Sequence, residues 1–352
     1  MADARDPVAA LERIAYLLER SREPTYRVRA FRTAAASIRQ AGDEQVARLA
    51  SAGRLTDLAG VGSSTAKVVA EVLAGETPGY LARLEEDAPD ETPADRATLA
   101  LVARLQGDCH SHSEWSDGGS PIETMADAAQ ALGHRYLALT DHSPRLTVAH
   151  GLTAERLREQ LGVVAAYNRA ADNRAAENRA DHQLRLLSGI EVDINEDGSL
   201  DQTEQLLDEL EVVVASVHSK LRMEGADMTP RMVRAVSSPQ VDIIGHCTGR
   251  IVVGKGRPPS SFDAPEVFAA CRAHGTAVEI NSRPERLDPP DELLVTAAEA
   301  GCVFSIDTDA HAPGQLEWQH HGAAKAVACG IDPDRIINTW DVTDLLDWTA
   351  SP

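Results

Sequence analysis

Seven short apolar runs in this chain each end in, or just before, a side chain able to bind a metal ion. They are RLQGDCHSH, with His110 and His112 and then Asp117; YLALTDHS, with His142; LRLLSGIEVDI, with Glu191; VVVASVHSK, with His218; DIIGHCT, with His246; AVEIN, with Glu279 and Asn281; and VFSIDTDAH, with Asp309 and His311. The runs are rich in Val, Ile and Leu, which suits strands buried on both faces. Residues two apart on a strand point to the same side, so His110 and His112 can meet one cation. Polar ligands at the C-terminal ends of parallel strands are what a β/α barrel offers at its active-site end. A lone buried histidine is ordinarily a satisfied core residue, but six at strand ends predict a polynuclear metal centre.

At 352 residues and 43% hydrophobic content, the chain can bury a large core, enough for one barrel and a small extra domain. Its five cysteines are odd in number and form no CxxC pair, which argues against a disulfide framework and for a reducing compartment. The N-terminal MADARDPVAALERIAYLLER reads as a charged amphipathic helix rather than a signal peptide, and no apolar stretch reaches the length of a membrane span. A soluble, cytoplasmic protein with no membrane partner is expected. The net charge of −21 is uneven: residues 1–80 carry 11 Lys and Arg against 10 Asp and Glu, and the remainder 23 against 45. So acidic a body argues against broad capture of nucleic acid. A phosphate substrate is still compatible, because clustered cations invert the potential inside a site.

Domain organisation follows the periodicity. Residues 1–85 are helical in pattern, with Val8, Leu11, Ile14, Ala15 and Leu18 on one helix and Tyr26, Val28, Ala30, Phe31, Ala34 and Ile38 on a second. In RLTDLAGVGSSTAKVVAEVLAG a short helix, a turn at Gly60, Val61 and Gly62, and a helix opening at Ser63 form a helix-hairpin-helix whose amides suit a nucleic-acid phosphate. An ordinary helical corner is the competing reading. Residues 86–104, acidic and bearing two prolines, are expected to be a linker, and residues 105–352 the barrel. The near-repeat NRAADNRAAENRAD at 168–181 reads as a solvated helical extension.

Together, GVGSSTA and the preceding SREPTYRVRAFRTAAASIRQ resemble the N-terminal helical domain of X-family DNA polymerases. Several eukaryotic members of that family use a lysine there for lyase chemistry. The matching position is Val68, beside Lys67, so only DNA contact through Gly60, Val61, Gly62 and Ser63 is carried over. From residue 107 onward the strings DCHSHSEWSDG, YLALTDHS, SGIEVDINEDGSLD, VVVASVHSKLRM, IIGHCTGR, VEINSRPERLDPPDELL, SIDTDAH and RIINTW resemble a PHP (polymerase and histidinol phosphatase) domain of the kind attached to bacterial X-family polymerases. The resemblance implies an α/β fold, a distorted (βα)7, TIM-like barrel preceded by a small all-α helix-hairpin-helix domain, with up to three metal ions. By position, His110, His112, Glu191 and Asp309 would hold the first ion; Glu191, His218 and His246 the second; Asp117, His142 and His311 the third. No polymerase palm or fingers fit between the hairpin domain and Leu105, so DNA synthesis is not expected.

Mixed imidazole and carboxylate donors suit two or three Zn, Mn or Fe ions. The expected reaction is phosphoester hydrolysis by a metal-activated water, with Glu191 and Asp309 catalytic through the metals they hold. Lys220, Arg222, Arg250 and Arg283, with Asn281, are the candidates for contact with substrate phosphate; each cation is as readily a surface ion pair. Cys109 is expected to pack and His150 to lie on a loop surface. DNA 3′-end processing, as a 3′-5′ exonuclease or 3′-phosphatase, is the leading reading. A small-metabolite phosphatase such as a histidinol phosphatase comes second, and a non-enzymatic DNA-binding protein third.

Overall fold

The structure is a computed structural model that describes residues 6–86, 95–178 and 183–350. It divides into two compact units, Met1–Pro93 and Ala94–Pro352.

The first unit is all helical: α1 (Pro7–Arg20), α2 (Thr25–Ala41), α3 (Asp43–Ser51), α4 (Ser63–Leu73) and α5 (Gly79–Glu86). Helix α1 starts where Asp6 accepts from the Val8 amide and Pro7 occupies the first turn. Its Leu11, Ile14 and Leu18, spaced three and four apart, are buried against Phe31, Ala34 and Ile38 of α2 and Val68, Val69 and Val72 of α4. The small Ala34 and Ala35 let α1 and α2 lie close. Ahead of α4 the expected first helix of the hairpin is only a 3-10 turn, Leu55–Asp57. Gly60 follows with a left-handed φ of 79°, and a Cβ there would stand 2.5 Å from Thr33 Cγ2, so the turn requires glycine.

The second unit opens with α6 (Arg96–Val102), inside the stretch read as linker. Asp95 caps it by accepting from the Thr98 amide at 2.7 Å, and Leu101 packs into the barrel core. Residues 87–94 of that stretch lie outside the described residues. Seven parallel strands follow in the order β1 (Gly107–Ser111), β2 (Tyr136–Leu139), β3 (Arg185–Asp193), β4 (Val212–Ser216), β5 (Ile243–Ile244), β6 (Ala277–Asn281) and β7 (Phe304–Asp307), each paired with the next. A bridge between Ser111 and Ala310 links the last strand back to the first, making a nearly closed barrel. Around it run α7 (Ile122–Ala131), α8 (Ala154–Asn178), α9 (Glu204–Leu207), α10 (Gly225–Val236), α11 (Ala264–His274), α12 (Asp291–Ala300), α13 (Gln319–Ala328) and α14 (Val342–Thr349). The NRA-rich stretch is the end of α8 as far as Asn178, and its remaining residues, 179–181, lie outside the described residues. Asn168 at its start is tied to β3, donating to the Leu186 carbonyl and accepting from its amide. All five cysteines are unpaired, and Cys109 packs with Tyr136, Ala138 and Val214. Among the described residues, no helix is long and apolar enough to cross a membrane.

Strand alternation places the site. Ile190 and Val192, Val213 and Ala215, Val278 and Ile280, and Phe304 and Ile306 belong to the large core under the helices. The intervening residues face the barrel interior, and they change character along each strand. They are apolar at the start, as at Leu187, Val212 and Ala277, and polar at the C-terminal end, as at Glu191, Ser216 and Glu279.

Candidate metal centre

Glu191, at the C-terminal end of β3, is the geometric centre. Its Oε1 lies 2.9 Å from His246 Nε2 and 3.3 Å from His218 Nε2, and its Oε2 lies 2.8 Å from His142 Nδ1, 3.4 Å from His110 Nε2 and 3.6 Å from His112 Nε2. One carboxylate thus turns each oxygen toward a different group of rings. Asp309 Oδ1 stands 3.4 Å from His112 Nε2, while Asp117 Oδ1 stands 3.5 Å from His142 Nε2 and 3.4 Å from His311 Nε2. All nine side chains expected as ligands are therefore brought together.

Their grouping is less partitioned than the expected sets of ligands. His112 joins Asp117, His142 and His311 as well as His110 and Glu191, and His142 also groups with Glu191 and His218. His112 and His142 each belong to two of these donor groups.

A bound cation fits a specific deficit here. Facing the centre, His110 Nε2, His112 Nε2, His142 Nδ1 and both Glu191 oxygens are buried without a hydrogen bond. Buried polar atoms left so are costly unless something else satisfies them. An imidazole and carboxylate donor set of this kind suits a divalent transition metal.

Outside the ligands a second layer fixes the rings. Glu279 Oε1 accepts from His110 Nδ1 at 2.6 Å and Asp193 Oδ1 from His218 Nδ1 at 3.1 Å, which turns each Nε2 toward the centre. Asp141 gathers the loop that carries Asp117, accepting from the Ser113 amide and hydroxyl, the Ser116 hydroxyl and Gln160 Nε2. Sequence reasoning gave no role to Asp141 or Asp193, although both lie within two residues of a ligand at a strand end, and it counted Glu279 among the side chains able to bind a metal, where the structure sets it behind His110. Asp309 holds a left-handed φ of 52°, an uncommon conformation for a residue with a Cβ.

The electrostatics are polarised. Burial opposes charge on Glu191, yet the His218, His110 and His142 rings outweigh it and hold the carboxyl well below its usual range. Asp309 is likewise held low against burial, chiefly by Arg283. Burial, with His311 and His142 adding to it, takes His112 down to about 3; burial, with Arg286 adding to it, takes His246 down to about 4. Burial pulls the other way at His218, but Glu191 and Asp193 prevail and raise it to about 9.

Above the centre opens a cavity of about 380 Å³, lined in part by Arg283, Arg286, Leu146 and Ile251. Of the expected substrate contacts, only Arg283 lines it. Lys220 and Arg222 are exposed side chains away from its lining, and Arg250 spends its guanidinium on the carbonyls of Arg286 and Leu287. Asn281 is buried and donates to Glu279 and Asp309 at 3.2 and 3.4 Å, a bracing contact within the centre. Arg286 was missed: it sits in the loop after β6, where no periodicity aims a side chain, and its Nε lies 3.3 Å from Asp309 Oδ2. His150 is exposed, as expected.

In the helical unit, the hairpin residues divide. Gly60, Gly62 and Ser63 are exposed, whereas Val61 is only 6% exposed and packs in the core, with its amide donated to the Leu58 carbonyl. The Gly62 amide is taken by Thr65 Oγ1 at 2.9 Å. The Val61 side chain and amide are thus both engaged within the turn. Val68 is buried, and Lys67 is exposed beside Glu71.

Comparison with known proteins places these features in context. A helix-hairpin-helix domain family matches residues 3–78, and the PHP domain family matches residues 108–283. The DNA polymerase/3′-5′ exonuclease PolX of Bacillus subtilis (strain 168) is 36% identical over 255 residues, which are 72% of this chain and 43% of that protein; the chain thus spans less than half of this relative. A probable phosphatase of Thermoanaerobacter sp. (strain X514) is 27% identical over 67% of this chain and 91% of its own. Among solved structures, a histidinol phosphate phosphatase from Lactococcus lactis, complexed with zinc, L-histidinol and phosphate, covers 65% of this chain and 95% of its own at 17% identity, with a TM-score of 0.47. On the match over half its length, the chain belongs to the PHP domain family.

Proposed function

We propose that the protein is a metal-dependent phosphoester hydrolase that processes DNA 3′ ends, as a 3′-5′ exonuclease or a 3′-phosphatase. The observation that carries the hydrolase reading is the convergence of five imidazoles on the two oxygens of Glu191, beneath a cavity with two arginines. The hairpin unit on the same chain and the similarity to a polymerase and exonuclease favour DNA as substrate. His110, His112, Glu191 and Asp309 would hold one ion, Glu191, His218 and His246 a second, and Asp117, His142 and His311 a third. Bound zinc, manganese or iron supplies Lewis acidity, which activates water and offsets the charge of a phosphate.

The chain's own residues do the rest. Arg283 and Arg286 face the cavity as cations for non-bridging phosphate oxygens. Glu279 and Asp193 keep a proton on the outer nitrogens of His110 and His218, so the inner nitrogens stay donors to the centre. Leu146 and Ile251 narrow the access of bulk water.

Glu285, also in the lining, gives a second reading some support, since a carboxylate there suits the amine of a small amino-alcohol phosphate. The test is to incubate purified protein and manganese separately with a 3′-labelled oligonucleotide and with histidinol phosphate. Loss of the label with little release of phosphate from histidinol phosphate is expected. Turnover of histidinol phosphate with an intact oligonucleotide would reverse the choice.

A further inference from the structure

The cavity over the centre is lined by two chemically different kinds of side chain besides the metal-binding groups. Arg283 and Arg286 supply its cations, and Leu146, after β2, and Ile251, after β5, are the apolar side chains among the described residues that line it. Each of these two begins a turn that leaves aliphatic side chains in water. Leu146 leads into the 3-10 turn Thr147–Ala149, where Val148 is 85% exposed. Ile251 starts a hairpin in which Val252 is 52% and Val253 38% exposed, with Lys255 exposed at its tip.

Both turns are built rather than frayed. The hairpin is closed by reciprocal backbone bonds between Ile251 and Arg257, at 2.9 and 2.8 Å, and tied down by Val252 N donating to the Glu285 carbonyl at 2.7 Å. Arg257 Nε donates to the Gly249 carbonyl at 2.6 Å. On the other side, the Leu152 amide donates to the His142 carbonyl at 2.7 Å, and the Arg145 amide to Asp201 Oδ2 at 2.6 Å. Singly exposed aliphatic residues are ordinary, as at Leu132 and Val295 on this barrel. Three on the two turns that supply a cavity's apolar lining each stand within two residues of that lining, and exposed apolar side chains beside a polar site are candidates for ligand contact.

A substrate consisting of little more than a phosphate would leave this surface in water. One with a flat, largely apolar group next to the phosphate would cover it, and a nucleobase is such a group: every base presents a face that packs without regard to sequence. We propose that these two turns form a nucleobase-binding rim, with the phosphoester on the metal centre beside Arg283 and Arg286 and the adjoining base against Leu146, Ile251 and the three valines. The inference rests on the DNA reading above and narrows it: recognition is of one terminal nucleotide with an unpaired base. A cavity of about 380 Å³ is near the lower end of the ~300–1,000 Å³ typical of small-molecule clefts, a size suited to one terminal nucleotide.

The experiment compares two single-stranded, 3′-phosphorylated oligonucleotides with manganese, one ending in a normal nucleotide and one in an abasic residue, against wild type and the V148S/V252S/V253S variant. None of the three valines belongs to the catalytic machinery, and all are exposed, so unchanged Tm and metal content serve as the folding control. Wild type is expected to show a KM about tenfold lower for the base-bearing substrate with similar kcat, and the variant to lose that difference while keeping its KM for the abasic one. Equal KM values in wild type, or discrimination kept by the variant, overturn the rim while leaving DNA as substrate. Hydrolysis of neither oligonucleotide, alongside turnover of p-nitrophenyl phosphate, overturns the DNA reading and the rim with it.

Discussion

Five imidazole nitrogens within 3.6 Å of one carboxylate make Glu191 the residue on which the centre depends. Glu191→Gln keeps the shape and removes the charge, so the two ions proposed to share this carboxylate would lose their common anion. Metal content by elemental analysis should drop by more than one equivalent per chain and phosphoester hydrolysis by several orders of magnitude; a variant with wild-type rate and metal content would refute the bridging role. Glu279 acts one layer out, through His110 Nδ1. Glu279→Gln should weaken metal affinity by about 10–100-fold without abolishing binding. The protonation states give a further expectation. His112 and His246, at about 3 and about 4, are neutral ligands at pH 7, but His218 at about 9 carries a proton that must leave before its Nε2 can coordinate. Because that proton competes below about pH 9, apparent metal affinity should rise with pH from 6 to 8, by roughly tenfold per unit for each proton displaced. Calorimetry in two buffers of different ionisation enthalpy should register at least one proton released per chain; buffer-independent heats would contradict it.

At the scale of elements, the strands carried most of what was legible. Each apolar run that ended in a histidine or acid is a strand or its C-terminal loop, because burial on both faces leaves few residues other than Val, Ile and Leu for such a position. Helix α13 illustrates what was not legible. A Cβ on Gly322 would fall 2.2 Å from Ser282 Oγ and 2.7 Å from Ile306 Cγ2. By propensity alone Gly322→Ala should stabilise a helix by roughly 0.5–1 kcal/mol. Overpacking against the barrel costs typically ~1–3 kcal/mol. The packing cost is the larger, so the variant should unfold at lower urea concentration than wild type; a raised midpoint would mean that α13 can shift outward. Arg250 and Arg286 make the same point in loops. Only the fold turns the first onto backbone carbonyls and the second into the cavity.

For the whole molecule, the two units have separate hydrophobic cores. Since α6 packs into the barrel core, a cut that spares the barrel must fall before Asp95. Removal of residues 1–94 should leave metal content and hydrolysis of a small chromogenic phosphoester nearly intact, and should weaken action on DNA. Equal DNA activity of the two forms would exclude the hairpin from the reaction. The positive charge of the helical unit is largely spent internally. Arg13, Arg27, Arg32, Arg39, Arg48, Arg54 and Lys67 each stand against a carboxylate, among them Arg32 with the buried Glu19 at 2.8 Å. DNA affinity should therefore fall only gently with salt, with a log–log slope no steeper than about −3 in a fluorescence-anisotropy titration, since few phosphates can be neutralised.

The sequence by itself determined the strand ends, the identity of the nine ligand candidates and the glycine turn. Those depend on local rules: side-chain period along a strand, the donor chemistry of His, Asp and Glu, and the left-handed φ that only glycine adopts without cost. Tertiary structure decided which candidate ligands share a neighbour, so that His112 and His142 each join two donor groups, and it set Asp141, Asp193 and Glu279 behind them. It also left Lys220, Arg222 and Arg250 out of the cavity lining, and brought in Arg286. These outcomes depend on distances between segments up to two hundred residues apart, which are fixed only when the barrel closes.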